Sequence, residues 1–285
     1  MSDDGSGTDL PAVDHAVVAG TDLDALGAAF ADAGLETEYG GEHSNGVTHN
    51  RVLGFADGSY LELISTVDPD AESPWWDDAI HGDAGPCAWA LPVSDIEAET
   101  ERIADLGVPV DGPDHSTRDR PDGVTIEWEM TGVGERLGAT LPFLVADRTP
   151  REYRTTEADS VAGTGITGIA EVVVCVPELD GAVDRFASFF EADSVERRTH
   201  EGFGAELARF EDAPVTLAAP LEGEAGRWLA DRLDRFGPMP CACLLGSDDP
   251  AATAERVDLG DPEPWVGSEV RWVELDVAGR VGVLG

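Results

Sequence analysis

Two side chains stand out against their surroundings. Glu62 lies inside the apolar run TyrLeuGluLeuIle (60–64), and His15 opens the run HisAlaValValAla (15–19). A carboxylate in so apolar a strand requires a partner, because an unpaired buried charge is costly. An imidazole nitrogen and a carboxylate oxygen are also good ligands for Zn, Mn, Fe or Ni. The plainer alternatives are a solvated sheet face for Glu62 and a hydrogen-bonded core position for His15. The stretch GlyGlyGluHisSerAsnGlyValThrHisAsn (40–50) concentrates His43, Asn45, His49 and Asn50. Polar loop groups of this kind orient ligands. Asn45 and Asn50 are also the only asparagines in the chain. His43, His49 and Asn50 are therefore expected beside a substrate, and Asn45 in a turn.

Other candidates carry less. His81, His115 and His200 sit among Gly, Asp, Ser and Arg and read as exposed loop residues. The pair Trp75–Trp76, after SerPro, either lids a pocket or staples a short helix. GlyThrGlyIleThrGly (163–168) fits GxGxxG, but a strand follows it. A dinucleotide loop needs a helix N-terminus aimed at the pyrophosphate, so that reading is excluded. The sequence has no Walker A, GxSxG or HExxH motif and no lysine for Schiff-base chemistry. Cys87, Cys175, Cys241 and Cys243 form no CxxC pair and read as small buried hydrophobes in a reducing compartment.

The elements that must position these residues recur along the chain. Residues 13–35, 86–108, 169–192 and 239–260 each give a short apolar run, a turn and an acidic helix. Leu23, Leu26, Phe30 and Ala33 keep helical spacing, as do Ile96, Ile103 and Leu106. Thr21, Asp22, Ser94 and Asp95 suit N-caps, and Gly34 and Gly107 suit helix stops. Alternating strand-like segments follow each helix. The repeating unit is strand–helix–strands, the fourth copy being shortened. Residues 147–164 lack apolar periodicity and read as a linker. The expected layout is a disordered tail (1–11), one domain of two paired units (12–146), the linker, and a second, degenerate domain (165–285).

Composition narrows the setting. Acidic residues number 58 against 18 basic ones, all Arg, for a net charge of −40 in 285 residues. Such a surface repels phosphate backbones and anionic lipid, which argues against nucleic-acid and membrane partners. The acids are dispersed rather than blocked. Dispersed excess charge suits molar salt, where the screening length falls to about 3 Å, and points to a halophilic protein. The polar, acidic start is the reverse of a signal peptide, and no apolar run reaches the roughly 18 residues of a membrane span. The expectation is a cytoplasmic protein.

AspHisAlaValVal (14–18), GlyGlyGluHis (40–43), ThrHisAsn (48–50), TyrLeuGluLeuIle (60–64) and LeuProPheLeuVal (141–145) together resemble the glyoxalase-like branch of the vicinal oxygen chelate superfamily. The resemblance implies an α+β fold: repeated βαβββ modules paired into curved, barrel-like sheets, here as two tandem halves. It also implies a divalent metal held by the first and last strands of each module. In the first module those positions are His15 and Glu62. Matching GlySerTyrLeuGluLeu (58–63) to GlyValThrIleGluTrp (123–128) sets Glu127 opposite Glu62, whereas Ala88 stands opposite His15. The expected ligands are His15, Glu62 and Glu127, with the free member of the pair Glu127 and Glu129 as general base. A second histidine ligand is not expected. In the third and fourth modules Glu171 and Cys241 take the place of His15, so that half reads as structural or as an interaction surface.

The resulting expectation is a lyase or isomerase that chelates vicinal oxygens of a small molecule on a divalent ion. The alternative is a metal-free binding protein of the same fold, in which Tyr60, Trp89, Trp128 and Asn50 grip the ligand. Module pairing within and between chains looks alike in sequence, which leaves a homodimer open.

Overall fold

Four copies of one strand–helix–three-strand unit build the molecule, and the computed structural model describes residues 12–285. The expected tail over 1–11 lies outside the described residues. The first unit comprises β1 (His15–Ala19), α1 (Leu23–Asp32), β2 (Glu38–His43), β3 (Thr48–Gly54) and β4 (Tyr60–Thr66). After a short helix α2 (Asp77–His81) come β5 (Gly85–Pro92), α3 (Ile96–Asp105), β6 (Val110–Asp119), β7 (Thr125–Val133) and β8 (Phe143–Asp147). Helix α4 (Arg151–Arg154) leads to β9 (Ile166–Cys175), α5 (Asp180–Phe190), β10 (Val195–His200), β11 (Ala205–Phe210) and β12 (Val215–Pro220). Then follow α6 (Arg227–Phe236), β13 (Met239–Ser247), α7 (Pro250–Ala254), β14 (Glu263–Pro264), β15 (Glu269–Trp272) and β16 (Arg280–Leu284).

Local chemistry sets the helix ends. The Asp22 side chain accepts from the backbone N–H groups of Asp24 and Ala25, and Asp95 accepts from that of Ala98. These bonds satisfy donors that the first helical turn cannot. Gly34 and Gly107 follow α1 and α3 at φ of 89° and 77°, a conformation that costs glycine least.

Units one and two close into a barrel in the order β1-β4-β3-β2-β6-β7-β8-β5, with β5 antiparallel to β1. Units three and four form an eight-stranded sheet in the order β10-β11-β12-β9-β13-β16-β15-β14. The fold is thus α+β, two curved sheets in two tandem halves. In every unit the first strand lies parallel to the last, because the helix carries the chain back across the sheet. Alternation sorts the side chains of β4: Leu61 and Leu63 join Leu23, Leu26 and Phe30 beneath α1. Tyr60 and Glu62 turn to the barrel interior, as do Trp128 of β7 and Phe143 of β8.

The two interiors differ. That of the second sheet is packed with Phe203, Trp265 and Trp272 over Val173, Leu207 and Ala218. Its carboxylate, Glu171, accepts from Arg209 Nε at 2.8 Å and from Trp265 Nε1 at 3.1 Å, so its charge is satisfied locally. His200 is buried there rather than exposed in a loop. It ends β10, its Nδ1 accepts from the Phe203 backbone N–H at 2.9 Å, and its ring lies 5.4 Å from that of Trp265. All four cysteines are free and buried. Arg232 of α6 ties the halves together by donating to the carbonyls of Ala84, Pro86 and Pro240.

Candidate active site

In the parallel β1–β4 pair, His15 partners Tyr60 and Val17 partners Glu62. His15 and Glu62 therefore stand two positions apart on one face, and His15 Nε2 lies 3.5 Å from Glu62 Oε2. The imidazole stacks on Tyr60 with centroids 4.6 Å apart and meets Phe143 edge-on at 5.2 Å. Behind it, Nδ1 bonds to Asp14 Oδ1 at 2.6 Å. Asp14 is fully buried and held by Arg154 at 2.8 and 2.9 Å and by Arg151. Burial alone would raise its carboxyl pKa. Arg154, then His15 and Arg151, outweigh that and hold it well below the usual carboxylate range. An ionised carboxylate only accepts hydrogen bonds, so His15 donates to Asp14 through Nδ1 and turns Nε2 toward Glu62.

Glu62 receives three neighbours. His43 Nε2 lies 3.3 Å from Oε1, and Asn50 Nδ2 donates to the same oxygen at 2.6 Å. Burial pushes the Glu62 carboxyl up, but His43 first, then His15 and Asn50, hold it at about 2. His43 is anchored from behind through Nδ1 to Thr48 Oγ1 at 2.9 Å, and Asn45 braces that hydroxyl at 3.0 Å. Asn50 is itself oriented, since Arg118 Nη1 donates to its Oδ1 at 2.7 Å. Gly40 leaves room for that bond: a Cβ there would fall 2.2 Å from Asn50 Oδ1 and 2.4 Å from Arg118 Nη1.

These residues line a cavity with Trp75, Trp76, Trp128, Met130 and Arg154. Its volume, counted as space open to the centre of a water molecule, is about 40 Å³, room for about three waters. Trp76 enters α2 in a left-handed conformation at φ 53° and donates through Nε1 to the Leu137 carbonyl at 2.7 Å. Trp75 meets His43 edge-on at 5.7 Å. Both indoles thus belong to the cavity wall.

The barrel brings together His15, His43, Asn50, Tyr60, Glu62 and Trp128 and separates three other candidates from them. His49 alternates away from Asn50 on β3 and packs near Tyr39, with ring centroids 6.0 Å apart. Glu127 and Glu129 alternate with Trp128, so they face outward, where they pair with His115 at 3.0 Å and with Arg148. Their expected places as ligand and base are therefore corrected. Glu127 lies on the third strand of its unit, whereas Glu62 lies on the fourth. The true counterpart of β4 is β8, whose inward residues Phe143 and Val145 carry no carboxylate. The sequence did not support a two-histidine ligand set and placed His43 beside the substrate, yet His15 and His43 both approach Glu62. Asp14, Arg118 and Arg154 went unnoticed, although Asp14 directly precedes His15 in the sequence.

Among the described residues no three His, Cys, Asp or Glu side chains already surround one point as a metal shell. His15 and His43 instead meet the opposite oxygens of one carboxylate. Two donors each about 2.1 Å from one ion, at angles between right and tetrahedral, lie about 3.0–3.4 Å apart, close to the spacings found. Rings fixed through Nδ1 by a carboxylate and a hydroxyl match the outer support that metal-bound histidines have. By residue type, two imidazoles and a carboxylate are ligands that a divalent ion takes.

Paired βαβββ modules thus close around a hollow that holds histidine and carboxylate. The sequence matches the Glyoxalase-like domain family over residues 13–190, and the chain belongs to that family. Its fold is shared by a hypothetical protein from Staphylococcus aureus, with a TM-score of 0.66, 13% identity, and 95% of this chain and 98% of that one covered. A mutant 4-hydroxymandelate synthase from Streptomyces coelicolor follows at 0.60, 12%, 96% and 92%. The Mn(II)-bound glyoxalase from Novosphingobium aromaticivorans gives 0.55, 12%, 96% and 82%. At these identities the likeness is one of fold. No curated protein matches the sequence.

Proposed function

We propose that this chain is a small-molecule enzyme of the vicinal oxygen chelate type, with His15, His43 and Glu62 holding a divalent ion. The observation that carries the reading is the approach of both Nε2 atoms to one ionised, buried carboxylate within a small hollow. When bound, the ion would polarise a substrate carbonyl and stabilise charge that develops as a C–H proton leaves. Asp14 and Thr48 keep the two rings from turning. Asn50 fixes the Glu62 carboxylate. Tyr60, whose hydroxyl is pushed up by burial above its ordinary range, stays protonated and accepts from Arg154 Nη1 at 3.4 Å. Glu62 is the sole carboxylate on the cavity wall among the described residues, so proton movement falls to whichever of its oxygens the ion would leave free. Lyase and isomerase outcomes both use these parts.

A second reading, ligand sequestration without metal, draws on the aromatic wall of Trp75, Trp76, Trp128 and Phe143. Metal analysis of protein exposed to Mn, Zn, Ni and Fe in high salt separates the two. One ion per chain, lost in His15→Ala and His43→Ala, supports the enzyme. A chain that takes up no metal, with ligand affinity intact in His15→Ala, supports sequestration.

The four buried free cysteines and the dispersed acidic surface support a reducing, salt-rich cytoplasm as the setting. Among the described residues no helix is long and apolar enough to cross a membrane.

A further inference from the structure

Two arginines line the cavity, and they are not alike. Arg154 is neutralised by Asp14 and by Asp147, the latter at 2.8 Å. Arg118 is 4% exposed and makes no ion pair within 4.0 Å among the described residues. Leaving a guanidinium so enclosed without a counter-ion is unfavourable. Two of its N–H groups are engaged, by Asn50 Oδ1 at 2.7 Å and by the Arg154 carbonyl at 3.2 Å, while Nε has no partner. A guanidinium carries five such donors, so it retains capacity for a planar, two-oxygen acceptor.

Its placement is equally specific. Arg118 is the cross-strand partner of His43 in the β2–β6 pair, which puts it on the interior face beside the proposed ligands. Only the Asn50 amide separates it from Glu62. Gly40 keeps that approach open. On the cavity wall Glu62 and Arg118 offset each other. A divalent ion added to that wall leaves an excess of positive charge, which favours a negatively charged ligand. The chain's own −40 repels anions at a distance, but molar salt shortens that repulsion to about 3 Å.

We propose that Arg118 binds a carboxylate of the substrate, making the substrate class a small acid whose carboxylate adjoins a hydroxyl or keto oxygen. The adjoining oxygen rests on the metal reading above; the carboxylate does not. The N–H groups of Arg118 Nη1 and Nη2 not taken by Asn50 and the Arg154 carbonyl hold the acid, and the second oxygen points to the His15–His43–Glu62 side. The hollow suits molecules of only a few heavy atoms, and larger acids require the Trp75–Trp76 segment to shift.

The test compares glycolate with glycolamide, which match in size and differ in charge, by calorimetry on the full chain at one fixed high salt concentration, with Mn and separately with EDTA. A hydrogen bond to a charged group predicts glycolate about tenfold or more tighter than glycolamide. Arg118→Gln brings that ratio to about one while Mn stoichiometry stays unchanged. Equal affinity of the two ligands for the native chain, or binding of neither, overturns the assignment, and this comparison needs no variant. If Mn binds but the ligands are not distinguished, the metal reading stands and Arg118 fails. If glycolate is preferred but no metal binds, the reverse holds.

Discussion

Replacing Asp14 by Asn tests the support behind the site at its most buried point. The substitution keeps shape and removes a charge that Arg154 engages through both carboxylate oxygens at 2.8 and 2.9 Å and that Arg151 also contacts. Asp14 has no exposed surface and Arg154 is 6% exposed, so solvent screens little of the loss. Breaking a buried pair by removing one partner costs about 3–5 kcal/mol, which is the destabilisation expected in denaturant unfolding at high salt. His15 Nδ1 also exchanges a charged acceptor for a neutral amide oxygen, and outer-shell losses of this kind weaken metal binding by about 10–100-fold. The pH dependence has a defined sign. The folded-state pKa of Asp14 is depressed, so its contribution is fully present above the unfolded carboxylate value near 4 and is lost as pH falls below it. The native chain should therefore weaken in acid more steeply than Asp14→Asn. A variant within about 1 kcal/mol of native stability, with an unchanged acid limb, would refute the reasoning.

Gly40→Ala forces a methyl group to within 2.2 Å of Asn50 Oδ1. The Asn50–Arg118 bond should break, costing about 1–3 kcal/mol and the glycolate preference together, as read by unfolding and calorimetry. Glu127→Gln and Glu129→Gln alter outward-facing, solvent-screened pairs, and each should leave stability within about 0.5 kcal/mol of native and Mn affinity unchanged. Lowering salt from molar to about 0.1 M lengthens screening from about 3 to about 10 Å, so the melting temperature should fall steadily as the dispersed carboxylates repel. A flat melting temperature across that range would sink the salt-adapted reading.

Much of this architecture was legible because the period-2 and helical patterns stay clean where one face is buried. The alternation of Leu61 and Leu63 against Tyr60 and Glu62 fixed the inward face of β4, and Asp22, Asp95, Gly34 and Gly107 marked the helix ends. The errors have physical causes. Strand β7 carries a glutamate after a glycine turn just as β4 does, so local pattern matching moved Glu127 one strand out of place. The loop rich in His and Asn drew attention to residues 40–50, but counting polar groups did not distinguish the inward faces of His43 and Asn50 from the outward face of His49. Strand β6 hid Arg118. Its sequence ValAspGlyProAspHisSerThrArgAsp has almost no apolar residue, because Arg118 is its one buried side chain. Arg154 sits where apolar periodicity is missing for a related reason: α4 is anchored to the barrel by charge rather than by a greasy face.

The central claim is that His15 and His43 present their Nε2 atoms, with Glu62, to one divalent ion. Pulsed electron paramagnetic resonance of the Mn(II)-loaded chain tests it directly through the nitrogen couplings of bound imidazole. The account predicts couplings from two imidazole nitrogens, falling to one in His15→Ala and in His43→Ala. A spectrum with no imidazole nitrogen coupling, or one that neither substitution changes, would contradict it.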